Sequence, residues 1–379
     1  MVISVLIWIV FGSTIAYLFV IGIITFGWFR LSAPVKEQSF LTGLDLSVII
    51  AVRNESRNIE TLLEQLANQN YDKKHYEIII VNDHSTDNTV QLAEHFIKHN
   101  PDIKIKILEA DGEGKKNALN EGIASSSAQL IVTTDGDCNV KPGWLQCIVN
   151  YYNSSGCKLI IGPVIYASEK TILQKLFSLD FASLVASGAG SAGVGLPLMG
   201  NGANMAFSKD AFTKVNNQNN TDRFASGDDV FLIHNVTAKY GTDAVGFLRD
   251  KDAFVSTLPP LNLHEFLLQR KRWASKAVGY RMAWPIIVSL TVLLFNTLLF
   301  AMLAGSFYYS WLLPFYILII VTKFMIDAPL VFNFLSFADK RHLKPFLFVT
   351  EFIYPIYIVL TAIASVIFGI RWKERENLK

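Results

Sequence analysis

Charge is scarce in two long stretches of this chain, one at its start and one that ends shortly before its last residues. Residues 1–29 contain no Lys, Arg, Asp or Glu, and residues 283–370 contain few. Cysteine is scarce as well, at three of 379 residues (Cys138, Cys147 and Cys157), with no CxxC spacing. That speaks against a zinc site and against a disulfide framework. Long basic runs with interleaved aromatics are absent and the net charge is only +2, so nucleic acid is not an expected partner. No Walker-type phosphate loop occurs, and no GxGxxG follows the first strand-like run, which removes support for kinase and dehydrogenase readings. Internal repeats and low-complexity segments are also missing.

What is present is apolar sequence at the ends and globular sequence between them. The chain is 51% hydrophobic. About 20 apolar residues suffice to cross a bilayer as a helix, and residues 1–29 exceed that. A cleaved signal peptide would start with basic residues and end in small ones. Here no basic residue precedes the block, and Phe26, Trp28 and Phe29 close it, so a membrane anchor is expected. The second apolar region divides into three spans, at 284–303, 311–334 and 345–370. Lys323, Asp327 and Glu351 fall inside them, which implies either pairing between helices or a polar path.

Arg30 and Lys36 follow the first span and predict a cytosolic middle segment. The expected placement is therefore an integral protein of a bacterial inner membrane, with its catalytic segment in the cytosol. Lys340, Arg341 and Lys344 also suit the inside. The basic tail (Arg371, Lys373, Arg375, Lys379) would lie outside after three full spans, so either the last segment is re-entrant or the charge rule fails there. The resulting division is an anchor at 1–30, a middle segment at 31–282, a membrane part at 283–371 and a tail at 372–379.

In the middle, short apolar runs alternate with helical periodicity. Leu46–Val52 reads as a buried strand, and Ile59, Leu62, Leu63 and Leu66 share one helical face. Further strands are predicted at 77–81, 103–108 and 129–134, with helices at 90–97 and from Gly114. Repeated strand–helix units predict an α/β fold with a mostly parallel, Rossmann-like sheet. Ligands in such sheets bind beyond the carboxyl ends of the strands.

Those ends carry polar residues: Arg53-Asn54-Glu55, Asn82-Asp83-His84-Ser85-Thr86-Asp87, Gly112-Glu113-Gly114-Lys115 and Asp135-Gly136-Asp137. Singly, each has a plain reading as a helix cap or turn. Two carboxylates around one glycine can also meet a hard divalent cation, Mg²⁺ or Mn²⁺, which bridges carboxylates to phosphates. Lys115 would add positive charge near phosphate. Later, Asp228-Asp229 either caps a helix or supplies a general base for a sugar hydroxyl. Gln269-Arg270-Lys271-Arg272-Trp273 is either a juxtamembrane basic and aromatic belt or a surface for phosphate and sugar. Residues 188–202 are rich in Gly, Ala and Ser, and read as a loop, either a linker or a shaper of the acceptor side.

Taken in order, these motifs resemble family-2 glycosyltransferases. The resemblance covers roughly residues 44–273 and rests on the segment from Leu46 to Glu55, on Val81 to Asp87, on Asp135-Gly136-Asp137 as a DxD motif, on Asp228-Asp229, and on Gln269, Arg272 and Trp273 as a QxxRW motif. It implies a GT-A fold, a nucleotide-diphosphate sugar donor, taken to be a UDP-sugar, and inversion at the anomeric carbon. Glu55 and Asp83 would contact the nucleoside, and Asp135 the ribose or diphosphate. Asp137, with Asp135, would hold Mg²⁺ or Mn²⁺. Asp229 would be the catalytic base. Gln269, Arg272 and Trp273 would line the acceptor and diphosphate region. Asn82 stands where many members carry an aspartate, and Asp228 replaces a frequent glutamate. QxxRW in similar enzymes marks both polysaccharide synthases and lipid glycosyltransferases. The acceptor expected here is a lipid or lipid-linked molecule at the membrane, with a processive synthase as the alternative. A silent scaffold or transporter subunit that only binds nucleotide sugar is the reading of another class, and a protein partner is left open.

Overall fold

The computed structural model describes residues 2–32, 43–216, 228–275, 279–280, 282–367, 371–372 and 375–376. Lys36, Ser226, Gly227, Lys373 and Lys379 therefore lie outside the described residues. The chain opens with helix α1 (Val2–Arg30). Strand–helix alternation then gives β1 (Leu46–Val52), α2 (Ile59–Ala67), β2 (Tyr76–Asn82), α3 (Thr89–His99), β3 (Lys104–Glu109), α4 (Lys115–Ser125) and β4 (Leu130–Asp135). There follow β5 (Asn139–Val140), α5 (Trp144–Ser155), β6 (Leu159–Ile161), β7 (Val164–Tyr166), α6 (Ile172–Gly193), β8 (Met205–Ser208), α7 (Lys209–Asn216), α8 (Asp228–Tyr240), β9 (Val245–Phe247) and β10 (Val255–Thr257). Helices α9 (Leu263–Ser275), α10 (Ala283–Ser306), α11 (Leu312–Phe337) and α12 (Lys344–Ile367) complete the larger elements.

The chain forms two compact units. One comprises Leu31–Ser168 and Pro197–Leu258, the other Met1–Arg30, Glu169–Leu196 and Pro259–Lys379. Two pieces of the segment that the sequence assigns to the middle, Glu169–Leu196 and the α9 region, thus count with the apolar helices.

The first of these units is built on a seven-stranded sheet in the order β3-β2-β1-β4-β8-β6-β9. Its first four strands run parallel, and β8 is antiparallel to both β4 and β6. Val48, Ile49, Ile50, Ile78, Ile79, Leu130, Ile131 and Val132 are fully buried in it. Each such side chain contributes about 1.5–3 kcal/mol by leaving water. Burial on both faces explains why these strands read as unbroken apolar runs and not as alternating ones. Helix α2 turns Ile59, Leu62, Leu63 and Leu66 inward, the face that the periodicity predicts. Helix α4 lies closer still. A side chain on Gly122 would begin 2.6 Å from Ile49 Cγ2 and 2.9 Å from Val81 Cγ2, so only glycine fits. That close approach fixes the start of α4, and with it Lys115, at the end of the parallel strands. A second, three-stranded sheet has the order β5-β10-β7.

In the other unit, four helices among the described residues are long and apolar enough to cross a membrane: Trp8–Arg30, Ala283–Ser306, Leu312–Phe337 and Arg341–Ala364. The apolar blocks of the sequence correspond to these. The Gly, Ala and Ser stretch from residue 188 departs from expectation. Its first part is not a loop but the end of α6. Small residues there let two backbones meet: a Cβ on Gly190 would lie 2.2 Å from the carbonyl oxygen of Ile24 on α1, and one on Gly27 would lie 1.9 Å from the carbonyl oxygen of Gly190. Packing of this kind is how apolar helices associate where the hydrophobic effect gives them little reason to.

The three charged residues inside the spans find each other. Lys323 Nζ is 2.7 Å from Asp327 Oδ2 and also pairs with Glu351 of α12. The Tyr17 hydroxyl donates to both Asp327 oxygens at 2.9 and 2.8 Å. Pairing between α1, α11 and α12 is therefore the role these charges have here. Removing one partner from a buried cluster leaves an uncompensated charge. Lys323→Met is expected to cost about 3–5 kcal/mol, seen as a lower Tm of the detergent-solubilised protein. Lys323→Met combined with Asp327→Asn and Glu351→Gln should regain most of that loss.

Candidate active site

Parallel register brings the polar strand ends to one edge. Ala51 pairs with Asp135, Val52 with Asn82 and Asn82 with Glu109. The loops that leave this edge are tied together by short polar side chains. Asn54 Oδ1 accepts from Thr86 N at 2.8 Å, and Asp87 Oδ2 accepts from Ser56 N at 3.1 Å. Burial opposes the charged form of Asp87, but hydrogen bonds from Thr89 and Ser56 outweigh it and bring the carboxyl down to about 2. Asn54 and His84 hold φ of 55°. Asparagine and histidine are among the residues enriched in that left-handed region, which few other side chains adopt.

Asp83 is buried, and its Oδ1 accepts from Gly114 N at 2.9 Å, linking the β2 end to the start of α4. Glu55 caps the turn into α2, with Oε2 accepting from Asn58 Nδ2 at 2.8 Å. Its Cγ would lie 3.0 Å from a Cβ on Gly136, so the glycine between the two aspartates is a contact surface for Glu55.

The carboxylates meet at Lys115. Its ammonium pairs with Asp135 Oδ1, and 36% of the Lys115 side chain and 31% of that of Asp135 remain exposed. Exposure of that degree keeps the stabilising effect of the pair small. Burial by itself would lower the Lys115 pKa, yet Asp135, then Asp229 and Asp137, raise it above the usual lysine value. Asp137 shows the same crowding from the other side. Burial, then Asp135 and Glu55, push its carboxyl above the ordinary range, and Lys115 and the Thr257 hydroxyl only partly relieve this. Thr257, at the end of β10, donates to Asp137 Oδ2 at 3.3 Å. This excess of negative charge is a donor set of hard oxygens and fits a divalent cation.

Asp229 opens α8. Its Oδ1 accepts from Val230 N at 2.8 Å and its Oδ2 from Gly202 N at 3.4 Å. The Gly202 carbonyl in turn accepts from Thr133 Oγ1 of β4 at 2.7 Å. Asp229 therefore sits beside the strand that ends in Asp135. Lys115 is thus within electrostatic reach of Asp135, Asp137 and Asp229, Asp137 is within reach of Asp135 and Glu55, and Asp83 anchors the helix that carries Lys115. Gln269, Arg272 and Trp273 lie on α9, in the other unit.

Two features escaped the sequence reading. Asn204 is buried and makes three hydrogen bonds: it accepts from Trp144 Nε1 at 3.0 Å and donates to the carbonyls of Pro163 and Ala253 at 2.8 Å each. Cys147, Asp250 and Asp252 place their ligand atoms within 4.8 Å of one another, and they share no residue with the Asp135 and Asp137 pair. Neither carries a local signal, because their partners are distant in the chain.

Residues 47–214 match the sequence profile of glycosyl transferase family 2. This segment is a family 2 glycosyl transferase domain. The glycosyltransferase AglE of Haloferax volcanii is 34% identical to the chain over 119 residues, which are 31% of this chain and 39% of that protein. A poly-beta-1,6-N-acetyl-D-glucosamine synthase of Staphylococcus aureus is 33% identical over 141 residues, 37% of this chain and 33% of that protein. The match thus spans little more than a third of these relatives' length. The mannosyltransferase PcManGT of Pyrobaculum calidifontis, solved with GDP-Man and Mn²⁺, superposes with a TM-score of 0.61 at 16% identity, over 97% of this chain and 99% of that one. The glycosyl transferase domain accordingly has the mixed α/β GT-A fold that its motifs imply.

Asn204 ties Trp144 to the backbone at Pro163 and Ala253. Asn204→Ala leaves a buried indole N–H and two carbonyls without their partner, at about 1–3 kcal/mol for each group left unsatisfied. A clearly lower denaturation midpoint, with nucleotide binding retained at low temperature, is the expected outcome.

Proposed function

We propose that the protein is an inverting glycosyltransferase that moves a hexosyl or N-acetylhexosaminyl group from a nucleotide-diphosphate sugar, a UDP-sugar in this reading, to a lipid or lipid-linked acceptor at the cytosolic membrane face. The observation that carries it is the gathering of Asp135, Asp137 and Asp229 around Lys115 at the carboxyl edge of a GT-A sheet. In this reading Asp229 accepts the proton of the attacking hydroxyl while the new bond forms at the anomeric carbon. Lys115 turns its ammonium to the diphosphate that departs. Glu55 and Asp83 border the nucleoside. Asp137, with Asp135, would hold Mg²⁺ or Mn²⁺, which would supply positive charge to the leaving diphosphate. PcManGT with its GDP-Man and Mn²⁺ supports the metal and the donor class.

Support for the membrane face comes from the four long apolar helices and from α9, where Leu263, Leu267 and Leu268 are exposed close to Lys271 and Arg272. The name of the S. aureus relative favours a second reading, repeated transfer to a growing polysaccharide. Product mass separates the two: single-sugar products support one transfer, and a ladder of oligomers supports synthesis.

Asp229→Asn is expected to lower transfer by at least about 100-fold with donor binding within about twofold, following the scale of general-base effects. Turnover unchanged in this variant removes the base assignment. Asp137→Ala is expected to abolish the metal dependence of donor binding, measured by calorimetry with and without chelator. If purified protein neither hydrolyses nor transfers sugar from any nucleotide sugar, the non-enzymatic scaffold reading takes its place.

A further inference from the structure

Arg270 fills one of the two positions that the QxxRW pattern leaves blank, yet it is the charged residue that α9 buries. Only 3% of its side chain is exposed, against 11% for Asp180 on α6, and Arg270 Nε donates to Asp180 Oδ2 at 2.6 Å. Its guanidinium lies 4.2 Å from the Trp273 ring, 4.6 Å from Phe266 and 5.9 Å from Phe181. Nη1 donates to the Gln269 side-chain oxygen at 2.8 Å. Phe266 in turn stacks on Phe177 of α6, centroids 4.1 Å apart and planes 7° apart, and packs on Tyr357 of α12 at 5.7 Å. One buried cation therefore touches two of the three motif residues and ties their helix to α6.

We propose that Arg270, clamped by Asp180, is the positioning residue of the α9 motif: it sets the Gln269 amide and the Trp273 ring. A planar guanidinium suits this because it can donate along its edge to a carboxylate while its faces lie against rings. Lysine offers a point charge and no face. A cation over an aromatic face also gains strength when both are withdrawn from water, as here. The consequence for transfer rests on the proposed function, in which Gln269 and Trp273 contact acceptor and diphosphate. The geometry of the clamp does not.

The decisive variant pairs Arg270→Met with Asp180→Leu. Replacing both members of a buried ion pair by apolar residues usually preserves stability, whereas removing one does not. The expected result is a Tm close to wild type, an acceptor kcat/KM lower by about 100-fold, the scale of a misplaced contact, and a donor KM within about threefold. Fluorine NMR of fluorotryptophan-labelled protein, with Trp273 assigned through Trp273→Phe, should show the Trp273 resonance displaced or broadened. A double variant with wild-type Tm, wild-type acceptor kinetics and an unmoved Trp273 resonance overturns the proposal. If the double variant does not keep its Tm, Arg270→Lys carries the test. Charge retained with the Trp273 resonance displaced and acceptor KM raised supports a positioning role, and wild-type behaviour in both rejects it. Should wild type transfer no sugar at all, the functional reading fails while the resonance still decides the clamp.

Discussion

Crowded negative charge at one edge of a sheet is the constraint around which this protein's central unit is arranged. Glu55, Asp135, Asp137 and Asp229 lie close enough to perturb their shared surroundings. Like charges about 4 Å apart repel by several kcal/mol at an effective dielectric near 20, so such a group needs a cation. Lys115 provides one from the first turn of α4. The surrounding architecture serves to hold this arrangement: Gly122 admits α4 onto β1 and β2, Asp83 fixes its start, and the Asn54, Thr86 and Asp87 bonds lock the neighbouring loops. A parallel sheet is well suited to the task, because its strand ends fall together by register alone.

The helical unit solves a related problem with the opposite balance. Several of its charges are buried and matched on site. Lys323 meets Asp327 and Glu351, Lys340 meets Glu169 at 2.8 Å, and Arg270 meets Asp180. Elsewhere its helices rely on shape, as where Gly27 and Gly190 bring α1 and α6 into backbone contact. Ion pairs and small residues are the two means by which apolar helices fix a register without a water-driven force. The two units thus use charge differently. One gathers carboxylates in excess at a single edge, and the other pairs its buried charges one against another.

The legibility of these features follows their range along the chain. Strands β1, β2 and β4 could be placed from unbroken apolar runs, and α2 from four apolar residues on one face, because both signals are local. The candidate site residues were legible because each strand ends abruptly in a polar cluster, and the parallel topology then aligns the clusters. Residues 188–193 are helix and not loop for a physical reason: Gly, Ala and Ser favour loops when solvated, but they serve equally as a close-packing face when another helix covers them. The bond between Asn204 and Trp144, the approach of Cys147 to Asp250 and the pairing of Arg270 with Asp180 gave no sign, since these partners lie 60, more than 100 and 90 residues apart.

Composition and local pattern alone determined where the apolar helices lie, which strands are buried on both faces, and which residue types stand at the strand ends. Tertiary structure alone decided which of those residues meet. Contact between Lys115 and Asp135, or between Asp229 and the Gly202 amide, depends on sheet order and helix approach. Those arise from long-range packing, which no window of sequence contains.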